Sequence, residues 1–125
     1  MATPDTTTQA ADLSVASLQQ IIAFMRSCAF EATRPGNKDI AALRDALAPG
    51  TMVYLTMLPN QTRDEAIAAA MGVREAGLVP VPHIAVRHLP GMADMDALLA
   101  AFNKQASVKR VLLIGGDIAK PAGSI

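Results

Sequence analysis

The sequence predicts an α/β fold with a parallel sheet, built from about four βα units. Two observations lead to this prediction. Short runs rich in β-branched residues alternate with longer segments whose apolar residues recur at helical spacing. The predicted strands begin at positions 28, 52, 79 and 108, so that successive strands start 24, 27 and 29 residues apart. This regular alternation is typical of a parallel sheet built from βα units.

The first two units follow directly from local patterns. Leu18, Ile21 and Met25 recur at helical spacing and predict a first helix over 13–26. A short strand over 28–33 ends at Pro35-Gly36, and a helix over 37–48 ends at Pro49-Gly50. The β-forming residues within 52–58 predict the second strand.

The last two units are marked by capping signals and by one strong apolar run. Thr62 and Glu65 have the spacing of a capping box, and Gly77 is a natural end for the helix predicted over 62–76. A third strand is expected over 79–85. A helix over 92–106 is expected to turn apolar residues inward, and a fourth strand over 108–114 completes the set. The inward residues of that helix are Met95, Leu98, Leu99 and Phe102.

The third strand contains Pro80 and Pro82, which lack backbone donors and would lose hydrogen bonds toward the same neighbour. One edge of this strand is therefore expected to be weakly paired. An extended loop is the alternative for this stretch.

Composition bounds the class of protein. The 125 residues fit one domain, with 1–12 as a flexible tail and 13–125 as the folded part. A hydrophobic content of 51% suffices for a core, and the balance of 11 basic and 11 acidic residues with few aromatics argues against nucleic-acid binding. Neither a membrane span nor a targeting leader is apparent, so a cytoplasmic protein is expected.

Polar residues stand near the carboxyl end of each predicted strand: Glu31, Thr56, His83 and Asp117. Burying polar groups without partners is costly, and parallel α/β folds place their chemistry at this end of the sheet. Four such residues in four successive units predict one shared site.

Each of these residues also has an ordinary structural interpretation. Glu31 lies between Phe30 and Ala32, and apolar surroundings would favour its protonated form and a general-acid role; pairing with Arg34 is the alternative. His83 is a candidate cofactor contact, a base or a core histidine. No metal-ligand spacing is present.

The segment Gly115-Gly116-Asp117 follows the fourth strand. Its glycines would let the backbone approach a ligand closely while the carboxylate supplies charge, although an ordinary turn is equally consistent with it. It does not form the glycine-rich fingerprint of dinucleotide-binding folds.

In this order and spacing, Phe30-Glu31, Thr56, Pro82-His83 and Gly116-Asp117 resemble the N-terminal half of the methylenetetrahydrofolate reductase family. The stretches 29–35 and 108–117 are similar to that family's first-strand and fourth-strand motifs. The resemblance covers residues 17–125.

The resemblance implies a (β/α)8 TIM-type barrel, of which residues 13–125 would be the N-terminal half with about the first four βα units. It further implies that the barrel holds FAD and passes a hydride from NADH or NADPH, through the flavin, to 5,10-methylenetetrahydrofolate in one-carbon metabolism. It implies that Glu31 is the general acid and, with Asp117, contacts the folate substrate. Flavin contacts are implied for Thr56, Met57, His83, Gly115, Gly116 and Asp117.

The sequence departs from the family at two positions and in its length. Gly115 stands where the family often has Arg, and Met57 stands where many members have Tyr. Four units are half a barrel, so the expected partners are a missing C-terminal half or a second copy in a homo-oligomer, and a fragment is the preferred explanation. The alternative functions are a non-catalytic half-barrel or interaction module, and a flavin-free folate-binding barrel enzyme.

Overall fold

The computed structural model describes residues 14–124; the predicted tail, 1–12, lies outside the described residues. Helices and strands alternate from the first element to the last, so each strand is preceded by a helix. The helices are α1 (Val15–Arg26), α2 (Asn37–Ala46), α3 (Arg63–Glu75) and α4 (Met92–Ala106), and a 3-10 turn spans Val86–His88. The strands are β1 (Phe30–Thr33), β2 (Met52–Thr56), β3 (Val79–Ala85) and β4 (Leu112–Ile114).

The four strands form one parallel sheet in the order β1-β2-β3-β4, which confirms the predicted α/β class with alternating helices and strands. Phe30 pairs with Val53, and Val53 pairs in turn with Pro80. Further along, His83 pairs with Leu112. The strand order follows the chain, so α2, α3 and α4 each connect two strands that are neighbours in the sheet.

Helices pack against one face of the sheet. On the opposite face the side chains of β1 are exposed, whereas Val81, His83 and Ala85 of β3 are buried. Val53, Leu55 and Ile84 belong to the buried core together with side chains of α2, α3 and α4. Because side chains alternate along a strand, the residues between them lie on the opposite face. We call these two surfaces the helix face and the open face.

The core lies between the helix face and the pair α3–α4. Phe102 of α4 is 2% exposed and is the largest of the fully buried side chains. Val73 of α3 and Val53 of β2 are fully buried in the same cluster. Met95 and Leu98 point inward as predicted, whereas Leu99, also predicted inward, is 37% exposed at the edge of the sheet.

The two prolines of β3 restrict the pairing with β4. The amide of Val79 donates to the carbonyl of Thr51 on the β2 side. In a parallel strand the amides alternate between neighbours, so Pro80 and Pro82 are the residues that would have donated toward β4. Pairing with β4 accordingly begins only at His83. The strand predicted over 108–114 is therefore wrong in its first half, and β4 starts at residue 112.

α1 is apolar but contributes no buried residue. Its large side chains are 44–72% exposed. Ile21 and Met25 line an open groove with Phe30 at the start of β1 and Leu47 at the end of α2. An apolar helix that remains uncovered in the folded chain marks a surface fitted for contact with another element.

Candidate functional site

The open face carries two rows of side chains that run across the sheet. Glu31 pairs with Tyr54, and Tyr54 pairs with Val81. Two residues nearer the carboxyl ends, Thr33 pairs with Thr56. Because Leu55 pairs with Pro82, the same offset puts Thr56 beside His83. Three of the four predicted polar residues thus share one face at one end of the sheet.

A chain of hydrogen bonds links β1 and β2 on this face. The hydroxyl of Thr56 donates to Oε1 of Glu31 at 2.8 Å, and the hydroxyl of Thr33 donates to Oγ1 of Thr56 at 3.2 Å. Thr33 was not among the predicted site residues. Its position two residues after Glu31 in the same strand is the signal that would have found it, since residues i and i+2 share a face.

The surroundings of Glu31 differ from those expected. Phe30 and Ala32 lie on the helix face, because neighbouring residues in a strand point to opposite sides. Glu31 is consequently exposed and is not enclosed by its apolar neighbours. Pairing with Arg34, the alternative interpretation, is absent as well, because Arg34 bonds Glu65 at 3.1 Å.

The Arg34–Glu65 contact ties the loop after β1 to the start of α3. Thr62 and Glu65 form the predicted capping box, with the Thr62 amide donating to Oε2 of Glu65 at 2.8 Å. This backbone hydrogen bond, with a further contribution from Arg34, holds the pKa of Glu65 below its usual value. The ion pair therefore anchors the start of the loop that follows β1.

His83 is the buried polar member of the open face. It is 8% exposed, and its ring meets that of Tyr54 edge to face with the centroids 6.0 Å apart. Within residues 14–124 its Nε2 atom is buried and has no hydrogen-bond partner. A buried imidazole nitrogen without a partner is costly, so it is suited to a ligand or an ordered water.

Met57 is the first residue after β2. Its sulfur accepts a hydrogen bond from the amide of Ala85 at 3.4 Å, and its side chain packs partly against the core. The thioether therefore bridges the ends of β2 and β3, beside Thr56 and His83.

The Gly115-Gly116-Asp117 segment packs against the 3-10 turn after β3. Gly116 has a φ of 90°, and a Cβ there would lie 3.3 Å from both the Cβ of Ala85 and Nε2 of His88. The carbonyl of Gly115 accepts from the amide of Arg87 at 3.0 Å. The close approach that we expected toward a ligand is thus made by Gly116 to the protein itself.

The remaining atoms of this segment are open to solvent. A Cβ at Gly115 would meet nothing within 4 Å, and Asp117 is exposed. Asp117 makes no hydrogen bond or ion pair to Glu31 or to another residue in the described part of the chain. The structure therefore brings Glu31, Thr56 and His83 together and leaves Asp117 beyond the end of β4.

His88 was not predicted as a site residue. Its Nε2 atom is buried without a hydrogen-bond partner among residues 14–124, against Gly116. It lies five positions after His83, at the far side of the turn, and the sequence contained no signal beyond that spacing.

Comparison with known protein families and a search for metal-binding groups and membrane-spanning helices add little to the geometry of the site. No protein-family model matches the chain. Between residues 14 and 124, no three His, Cys, Asp or Glu side chains lie close enough together to hold a metal ion. None of the helices described is both long and apolar enough to cross a bilayer. The arrangement offers a carboxylate and hydroxyls beside a buried imidazole on one face of the sheet, and these groups are able to bind a polar ligand and move a proton.

Proposed function

We propose that this chain is part of a flavin-dependent oxidoreductase of one-carbon metabolism, resembling methylenetetrahydrofolate reductase, that reduces 5,10-methylenetetrahydrofolate or a related folate with a nicotinamide as hydride source. The observation that supports it most is the contact between Thr56 and Glu31, on the same open face as the partnerless His83 nitrogen. A carboxyl group at the carboxyl ends of the strands is suited to transferring a proton to a bound substrate.

The strand order supports a barrel. In doubly wound folds the order reverses at a switch point and helices cover both faces. Here the order follows the chain, and the residues of α2, α3 and α4 in the core all lie on the helix face. A parallel sheet in chain order, with helices on one face and polar residues on the other, is the arrangement expected of half of a (β/α)8 barrel.

The residues of the open face fit a flavin. The partnerless nitrogen of His83 and the hydroxyl of Thr56 provide polar contacts for the edge of a polar ring system. Open space at Gly115 leaves its backbone accessible. Met57 follows Thr56 at the end of β2 and packs partly against the core. We assign these residues, with Gly116 and Asp117, to FAD binding. When bound, the flavin would accept a hydride from NADH or NADPH and pass it on.

The hydrogen bond from Thr56 gives the two carboxyl oxygens of Glu31 different roles. Oε1 accepts from Thr56, which orients the carboxyl group and leaves Oε2 to carry the proton. Transfer of that proton to a nitrogen of the folate's five-membered ring breaks the carbon–nitrogen bond and leaves a cationic iminium, which takes up the hydride. The resemblance would also assign Asp117 to this cation, but its carboxylate lies beyond the end of β4 and makes no contact with Glu31.

Spectroscopy of the purified chain tests this proposal. We expect added FAD to bind with quenching of its fluorescence, NADH or NADPH to bleach its visible absorbance without oxygen, and 5,10-methylenetetrahydrofolate to restore it. The absence of FAD binding, or a reduced flavin that the folate does not reoxidise, would contradict the proposal.

A further inference from the structure

We propose that Tyr54 is a further ligand-binding residue of the candidate site: it forms the floor on which a planar, fused heteroaromatic ring lies, and it positions the imidazole of His83. The inference rests on the proposed function, because the flavin is the ring system that the other residues of this face are proposed to bind. Tyr54 is the single tyrosine of the chain, and it was not among the residues predicted for the site.

The place of Tyr54 follows from the order of the strands. Glu31 lies on β1 and His83 lies on β3, and β2 runs between these two strands. A ligand that contacts both the carboxyl group of Glu31 and the imidazole of His83 therefore has to cross β2 on the open face. Because neighbouring strands are about 4.8 Å apart, β1 and β3 are separated by about 10 Å. The ligand is accordingly an extended one, a fused ring system rather than a single small group.

Two side chains of β2 lie under the path of such a ligand. Tyr54 is level with Glu31, and Thr56, two residues further along the same face, is beside His83. The hydroxyl of Thr56 already donates to Glu31 at 2.8 Å. Since the tyrosine side chain is much the larger of the two, it provides most of the surface that the ligand meets on β2.

Tyr54 keeps free capacity for binding. It is half-buried, whereas Val81, its partner on β3, is buried. Among residues 14–124 its hydroxyl makes no hydrogen bond, and it is not one of the polar atoms that are buried without a partner. A phenolic hydroxyl can donate and accept hydrogen bonds, and the ring offers apolar faces. The side chain thus supplies aromatic surface for a flat ring and a polar group for its edge.

The same tyrosine ring packs against the imidazole of His83. The two ring centroids are 6.0 Å apart and the planes are inclined by 62°, which is the edge-to-face arrangement that aromatic pairs prefer. In the part of the chain that the structure describes, Nε2 of His83 has no hydrogen-bond partner, so packing, including this contact, sets the orientation of the imidazole. Tyr54 is therefore also a positioning residue for the nitrogen that is proposed to contact FAD.

NMR of the chain with labelled tyrosine and histidine tests the positioning role without any ligand. The chain has one tyrosine and two histidines, so each ring gives its own signals. We expect Tyr54→Leu to shift the ring signals of His83 while those of His88 stay in place. Tyr54→Phe keeps the aromatic contact and should leave His83 nearly unchanged. Identical His83 signals in the unmodified chain and in both variants would overturn the positioning role.

Titration of the same proteins with FAD tests the binding role. Saturating FAD should shift the ring signals of Tyr54. We expect the dissociation constant for FAD to rise about two- to tenfold in Tyr54→Phe, which loses one hydrogen bond, and about tenfold or more in Tyr54→Leu, which also loses the ring. Phe24→Leu is the matched control, because it removes an aromatic ring at an exposed position of α1 and should bind FAD like the unmodified chain.

The outcomes separate this inference from the proposed function. FAD that binds both Tyr54 variants as tightly as the unmodified chain, or that leaves the Tyr54 signals in place at saturation, would overturn the inference and leave the proposed function standing. Binding that depends on Tyr54, with no transfer of the hydride to the folate, would support the inference and contradict the proposed function. A chain that binds no FAD at all would overturn both.

Discussion

Glu31→Gln is expected to lower folate reduction by about 10²- to 10⁴-fold, the usual contribution of a general acid. Glutamine keeps the shape of the side chain and its ability to accept the hydrogen bond from Thr56, but it has no acidic proton to give. Reduction of the bound flavin by the nicotinamide needs no such proton and should proceed at nearly the original rate. Stopped-flow measurement of the two half-reactions separates the effects.

Glu75→Gln is the matched control, because it makes the same chemical change at an exposed position at the end of α3. Its two half-reactions should equal those of the unmodified chain. Folate reduction by the Glu31 variant at the full rate would show that another group supplies the proton. Equal loss in both half-reactions would instead indicate that Glu31 serves in flavin binding.

Phe102→Ala is expected to lower the free energy of unfolding by about 3–5 kcal/mol. The ring is 2% exposed and packs in the cluster that joins α4 to the sheet. Its removal would leave a cavity in a small core, and single domains have a total stability of only about 5–15 kcal/mol. Urea unfolding followed by circular dichroism measures the change.

Met92→Ala, at the exposed start of the same helix, is the control and should change stability by less than about 1 kcal/mol. If Phe102→Ala lowered the free energy of unfolding as little as Met92→Ala does, α4 would contribute little to the stability of the sheet.

The sequence alone predicted the elements well, because each depended on local signals. Thr62 and Glu65 form the capping box whose spacing announced α3, and β3 has the predicted bounds despite its prolines. The prolines were also predicted to weaken one edge. What local signals could not show was which edge, since this depends on the direction in which the amide of Val79 points.

The predicted site was only partly correct, because its members depend on faces and long-range packing. The grouping of Glu31, Thr56 and His83 follows from their shared face at the carboxyl ends of the strands. The prediction of apolar surroundings for Glu31 was wrong, because residues adjacent in sequence point to opposite faces of a strand. The approach of Gly116 to His88 joins segments nearly thirty residues apart, which no spacing rule anticipates.

The central claim is that the open face of the sheet, at the carboxyl ends of its strands, binds the flavin. Isotope-labelled protein titrated with FAD and followed by two-dimensional NMR tests it most directly. The account predicts saturable shifts at Thr33, Thr56, His83 and Gly115, with Val73 of α3, in the core on the other side of the sheet, unaffected. Saturable shifts confined to the helix face, or no shifts at any FAD concentration, would contradict it.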